Sequence, residues 1–144
     1  MAKVNRVLII DDDEVYNFVF NKMIEQLALA ETITTCQSGN QGLSYIKDSI
    51  DQEEDLPDLI FLDINMPVMN GWEFLDEYQE LKSRIQKQIS LFLLSSSLLP
   101  DDLNKSKRYH IVDGFIIKPL THDQLYKISE EHCQQAEVKV IRNK

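Results

Sequence analysis

Three short runs in this chain are apolar at every position: Val7–Ile10, Leu59–Leu62 and Leu91–Leu94. A strand with one wet face alternates polar and apolar residues. Unbroken apolarity requires cover on both sides, which is the setting of a central strand in a parallel sheet. With their flanks these runs read RVLII, DLIFLD and ISLFLLS, and two more, TITTC and DGFIIK, complete a set of five.

Helical spacing fills the gaps. Val15, Val19, Met23 and Leu27 recur every fourth residue with Phe18 beside them, which predicts a first helix buried along that stripe. Leu43, Ile46 and Ile50 follow Ser38-Gly39, a capping pair. Phe74, Tyr78, Leu81 and Ile85 mark a third helix. Leu125, Ile128, His132 and Ala136 mark a fifth, opened by Thr121 with Gln124 three residues on, the capping-box pattern. The fourth, Asp101 to His110, has little more than Leu103 as an apolar stripe and is expected to be loosely held. Strand and helix thus alternate at a spacing of roughly 25–30 residues, without sequence self-similarity, as successive βα units do. The expectation is an α/β fold: an open five-stranded parallel sheet with helices on both faces and right-handed crossovers. The acidic stretch DSIDQEEDLP is read as a loop before the third strand. The last residues, 137–144, form a tail that extends the fifth helix or lies along a sheet edge.

The 144 residues suit one domain, residues 1–144 with a core of about 6–136. A net charge of −9 argues against direct nucleic-acid binding, and the short basic runs LKSRIQK and NKSKRYH read as solvated helix faces. Two cysteines, Cys36 and Cys133, lack any C-x-x-C spacing and suit a reducing compartment. No run is long enough for a signal peptide or a membrane span, so a cytoplasmic protein is expected.

Ligands of open parallel sheets bind beyond the carboxyl ends of the strands. There the first strand ends in Asp11-Asp12-Asp13, the third in Asp63, the fourth in Ser95-Ser96-Ser97 and the fifth in Lys118-Pro119. Asp13 reads equally well as a cap for the next helix. Asp11, Asp12 and Asp63 together bring three negative charges to one cleft and require counter-charge. Lys118 supplies one positive charge, and a divalent cation would supply the rest. Hard oxygen ligands suit Mg²⁺. A carboxylate can accept a phosphoryl group as an acyl phosphate, given neutralisation of the phosphoryl oxygens and a nearby hydroxyl such as that of Ser95.

From about Arg6 to about Ala136 the sequence resembles the receiver domain of two-component response regulators. The motifs that carry this are LDINMPVMNG, IIDDDE and DGFIIKPLT, in that order on the expected strands. The resemblance implies a flavodoxin-like (βα)5 fold with strand order 2-1-3-4-5. It implies that Asp63 accepts phosphoryl from a histidine kinase or histidine phosphotransfer protein in a Mg²⁺-dependent reaction. Asp11, Asp12, Asp63 and the backbone carbonyl of Asn65 would hold the metal, with Asp12 a direct ligand and Asp11 acting largely through water. Lys118 would pair with a phosphoryl oxygen, through a segment whose Lys-Pro bond is cis. Ser95 would move its hydroxyl toward the phosphoryl group. Asn65 and Ser97 stand where the family tunes hydrolysis of the acyl phosphate. Phe115 holds the aromatic switch position where Tyr is frequent; it offers no hydroxyl, so a switch there is steric.

Phosphorylation signals only by favouring one state of a bistable element. The thinly anchored fourth helix and its loops, SSSLLPDDLNKSKRYH, are the expected element, and the fourth helix, fifth strand and fifth helix the expected docking face for a downstream protein. With no output domain following, and numbering from MAK, a stand-alone, non-enzymatic signalling phosphoacceptor is expected. Three rival readings compete with it. A haloacid-dehalogenase-like phosphatase would use Asp11 as nucleophile and Asp13 as acid–base, with Val15 completing D-x-D-x-[TV], but it leaves LDINMPVMNG unexplained. A pseudo-receiver would bind partners without chemistry, yet usually lacks part of the constellation. A histidine phosphotransfer module is a helical bundle, and His110, His122 and His132 read as ordinary helix or surface residues.

Overall fold

The structure, a computed structural model, describes the backbone of residues 4–96 and 99–142 and the side chains as far as residue 135. Strands and helices alternate as β1 (Val4–Ile10), α1 (Glu14–Leu27), β2 (Ala30–Cys36), α2 (Gly39–Ser49), β3 (Leu59–Asp63), α3 (Gly71–Lys82), β4 (Ser90–Ser95), α4 (Pro100–Ser106), β5 (Gly114–Ile117) and α5 (His122–Arg142). All pairings are parallel, in the order β2-β1-β3-β4-β5. Of the acidic stretch before β3, Asp48 and Ser49 close α2 and the rest is a loop containing one 3₁₀ turn, Glu53–Asp55.

The register explains the unbroken apolar runs. Val7–Ile10 lies beside Leu59–Leu62, which lies in turn beside Ser90–Leu93. Successive side chains on a strand point to opposite faces. Leu8, Ile10, Ile60, Leu62, Leu91 and Leu93 therefore enter one layer with α2 and α3, while Val7, Ile9, Leu59, Phe61 and Leu94 enter the other with α1 and α5. Phe61 illustrates the second layer. It is fully buried, with the ring of Phe20 edge-on at 4.9 Å and that of Phe92 stacked at 5.9 Å. Burying such a ring contributes about 1.5–3 kcal/mol.

Caps set the helix starts. Asp13 accepts from the Tyr16 N–H at α1, and Ser38 from the Gln41 N–H at α2. Thr121 and Gln124 bond reciprocally at α5, as their spacing predicts. Asn70 and Glu73 form a second such box at α3, which the sequence reading passed over.

Two expectations are corrected. The amino-terminal part of the predicted α1 stripe faces outward, Val15, Phe18 and Val19 being 75, 65 and 51 % exposed, while Met23 and Leu27 are partly buried against the core. The buried face is Asn17, Phe20 and Ile24. Asn17 can be buried because its Nδ2 donates to the Asp11 carbonyl at 2.8 Å, so a polar residue occupies a core position. The fourth helix is shorter than Asp101–His110. It ends at Ser106, where tight turns, Arg108 N–H to Lys105 O and Tyr109 N–H to Ser106 O, take over. They bring Tyr109 onto Trp72, ring on ring at 5.9 Å. The backbone of the tail continues α5 to Arg142. Ser97 and the Ala136 side chain lie outside what is described.

Candidate functional site

Because Ile10 pairs with Leu62, the next residues, Asp11 and Asp63, stand side by side at the carboxyl end of the sheet. Asp11 is fully buried and Asp63 is 5 % exposed, while Asp12 is open to solvent. One carboxylate oxygen of each lies within 4.8 Å of the others. Asp11 is held from several directions: its N–H donates to Cys36 O, its Oδ1 accepts from Asp13 N–H at 3.0 Å, and its carbonyl accepts from Asn17. Asp63 Oδ1 accepts from the Asn65 N–H at 3.3 Å.

Lys118 reaches in from the end of β5. Its Nζ lies 2.5 Å from Asp11 Oδ2 and 3.8 Å from Asp63 Oδ2. Its backbone N–H donates to Ser95 O at 2.8 Å, and the Lys118-Pro119 bond is cis. Ser95 is buried at the end of β4, with its Cα paired to Ile117. Phe115 is half-buried against the α2–α3 layer, beside Leu93. Asn65 is exposed in the loop after β3. Asp13 is engaged as the cap of α1, its Oδ1 3.0 Å from the Tyr16 N–H.

The loop between Asp63 and α3 is tightly folded. Gly71 donates its N–H to Ile64 O at 2.8 Å, and a β-carbon placed there would sit 2.8 Å from Ile64 Cα and 2.9 Å from Asp63 O. Only glycine allows this approach. Val68 at the loop tip has φ +67° and is 94 % exposed, with Met69 N–H closing on Pro67 O at 2.7 Å. This is the geometry of a γ-turn with positive φ, strained for a β-branched residue.

The electrostatics follow from burial and crowding. Desolvation and the neighbouring Asp11 charge raise the Asp63 carboxyl to about 7, against Lys118 and the Asn65 N–H. For Lys118, burial works to lower the pKa, but Asp11 and Asp63 outweigh it and the ammonium is held above its usual range. Two buried carboxylates, one exposed carboxylate and one ammonium leave excess negative charge on hard oxygen donors. That donor set fits a small divalent cation such as Mg²⁺.

The sequence profile of the response regulator receiver domain matches residues 7–130. The chain belongs to that family. The fold agrees with a two-component response regulator from Cytophaga hutchinsonii at a TM-score of 0.85, with 32 % identity over 92 % of this chain and 98 % of that one. The nitrate/nitrite response regulator protein NarL of Escherichia coli is 31 % identical over 84 % of the chain, which spans only 51 % of NarL. A probable methanogenesis regulatory protein, FilR2, of Methanothrix harundinacea is 26 % identical over 87 % of this chain and 79 % of its own length. Receiver domains bind Mg²⁺ at an acidic cluster and serve as signalling phosphoacceptors. Among the described residues, no helix is long and apolar enough to cross a membrane.

Of the residues singled out from the sequence, Asp11, Asp12, Asp63 and Lys118 converge, and Ser95 is joined to the lysine through its backbone. Phe115 lies back along β5. Sequence reasoning missed Tyr16, whose ring lies over Lys118 Nζ at 4.7 Å, and Asn17. Neither carries a local signal; only the pairing of β1 with its neighbours and the turn into α1 bring them to the site.

Proposed function

We propose that this chain is a phosphoryl-accepting receiver domain, with its core in residues 6–136, in which Asp63 is the acceptor. The supporting observation is the grouping of Asp63 with Asp11, Asp12 and Lys118 at the carboxyl ends of adjacent strands. A carboxylate oxygen of Asp63 attacks phosphorus, the P–N bond to a donor histidine breaks, and the departing imidazole keeps the electron pair and takes a proton. Asp11, Asp12, Asp63 and the Asn65 carbonyl would hold Mg²⁺, which when bound supplies positive charge to the phosphoryl oxygens. Lys118 offers its ammonium to one of those oxygens, exchanging part of its contact with Asp11 for the new group. Ser95 then supplies a hydroxyl, and Phe115 adjusts in the space behind it.

The donor, a sensor histidine kinase or histidine phosphotransfer protein, must approach the carboxyl end of the sheet. Exposed Val15, Phe18 and Val19 give it apolar surface beside that opening. The response is read on α4, β5 and α5. Of α4 only Ser106 is buried, so its displacement is inexpensive. Leu99, Ile117 and Tyr126, on or next to these three elements, are exposed apolar side chains.

Incubation with acetyl phosphate, followed by intact mass, tests the acceptor. Labelling is expected with Mg²⁺, is expected to be lost when the metal is chelated, and is expected to be absent in Asp63→Asn. Labelling that persists in the variant moves the nucleophile elsewhere. No labelling by acetyl phosphate or by a cognate kinase reduces the chain to a binding module.

A further inference from the structure

Tyr16 lies in the first turn of α1, on the side toward β5. Its ring face meets the Lys118 ammonium at 4.7 Å, and its edge rests on Phe20 with the centroids 5.7 Å apart. Its hydroxyl accepts from the Leu120 N–H at 3.3 Å. Burial raises the phenol above its ordinary range, so it stays neutral. One side chain therefore touches both parts of the lysine segment: the charged end, and the turn two residues further along the backbone.

Lysine is a point charge on a flexible stem and needs external confinement to face a chosen oxygen. On one side of Nζ stand the carboxylates of Asp11 and Asp63, at 2.5 and 3.8 Å. On the other stands the electron-rich face of Tyr16, which attracts a cation without offering a proton acceptor to compete with the carboxylates. Only 12 % of the lysine side chain is exposed. An aliphatic residue at 16 could fill the same space but would leave the ammonium free to rotate toward water.

We propose that Tyr16 is a positioning residue for Lys118: its ring keeps the ammonium turned to the acceptor carboxylate, while its hydroxyl fixes the turn that carries the lysine. This rests on the reading of Asp63 as acceptor and Lys118 as its phosphoryl partner. It deepens that reading by assigning to α1 a part in the acceptor chemistry. Holding the charge in place before the phosphoryl group arrives removes a reorganisation step from the transfer.

Two measurements on Tyr16→Phe and Tyr16→Leu test it. In labelling by acetyl phosphate with saturating Mg²⁺, Tyr16→Leu is expected to fall about tenfold and Tyr16→Phe to stay within about threefold of wild type, since Phe keeps the ring face. In NMR spectra, the Lys118 ε-methylene protons are expected upfield in wild type and Tyr16→Phe, and at ordinary positions in Tyr16→Leu. The wild-type shift reports that the ring faces the ammonium, and a merely structural role would lower the urea midpoint of Tyr16→Leu without slowing its labelling relative to Tyr16→Phe. A Tyr16→Leu rate close to wild type, a Phe variant as slow as the Leu variant, or an unshifted wild-type ε-methylene overturns the proposal. Should Tyr16→Leu lose its cooperative urea transition, Tyr16→Met takes its place. An unlabelled wild type overturns the acceptor reading instead, and the ring-current shift still reports whether Tyr16 holds the ammonium.

Discussion

The third strand has an aspartate at each end, Asp58 partly buried and Asp63 buried, and the two are treated in opposite ways. Asp58, just before Leu59, is surrounded by donors. Its Oδ2 accepts from the Asn5 and Arg6 N–H groups, both at 2.9 Å. Its Oδ1 lies 3.3 Å from Lys87 Nζ and 3.9 Å from His132 Nε2, the latter an ion-pair distance rather than a hydrogen bond. Burial alone would raise its pKa, yet the His132 imidazole, the backbone donors and Lys87 together hold it at about 2. Asp63 has less help, because Lys118 sits closer to Asp11 and a second carboxylate crowds it, so desolvation carries it to about 7. One carboxylate ties β1, the loop before β4 and α5 to the start of β3; the other is kept poorly neutralised. The contrast shows that burial does not fix a carboxylate's role: the supply of donors decides whether it stabilises the fold or stays available for new positive charge and a new bond.

Removing each carboxylate should therefore move stability in opposite directions. Asp58→Ala leaves two backbone N–H groups without their acceptor and removes the charge partner of Lys87, which keeps only the Leu56 carbonyl, and a loss of about 3 kcal/mol is expected in urea unfolding at neutral pH. Asp63→Asn relieves repulsion and, without divalent cations, should gain about 1–3 kcal/mol, less than the full shift implies because the site is partly solvated. A loss on Asp63→Asn would break the comparison outright.

The pH profile sharpens it. Asp58 contributes stability that is complete above its ordinary value of 3.8 and is lost as pH falls toward about 2. Asp63, protonated in the fold up to about 7, should instead cost stability as pH rises from near 3.8 to that value, and Asp63→Asn should flatten that decline. The smallest effect probes the periphery of the donor-rich end. Ser90 Oγ lies 2.8 Å from His132 Nδ1, and Ser90→Ala should cost about 1 kcal/mol by loss of that buried bond, read from the urea midpoint.

The two ends of β3 also differ in how well the sequence displayed them. Asp63 was legible because an aspartate ends an unbroken apolar strand, and Asp11 and Lys118 end two others in a sheet whose ligands bind at that edge. Asp58 looked like an ordinary strand-opening residue, and His132 like one position on a helix stripe. Their meeting depends on α5 crossing back over the amino end of β4, which no local pattern encodes. The α1 face was misread for a related reason. Val15, Phe18 and Val19 are the more conspicuous apolar set, but the register of the β1–α1 turn brings Asn17, Phe20 and Ile24 inward, and a hydrogen bond to Asp11 makes the asparagine acceptable there. Strand content and order survived these errors because two-sided burial leaves a stronger imprint than helix rotation does.

Gly71 carries a consequence at the level of heredity. Its neighbours Ile64 Cα and Asp63 O leave no room for even one additional carbon. Every glycine codon becomes a codon for a larger residue, or a stop, when its first or second base changes. Position 71 thus has no conservative mutational neighbour, and a lineage drifting there must first rebuild the backbone that carries Asp63.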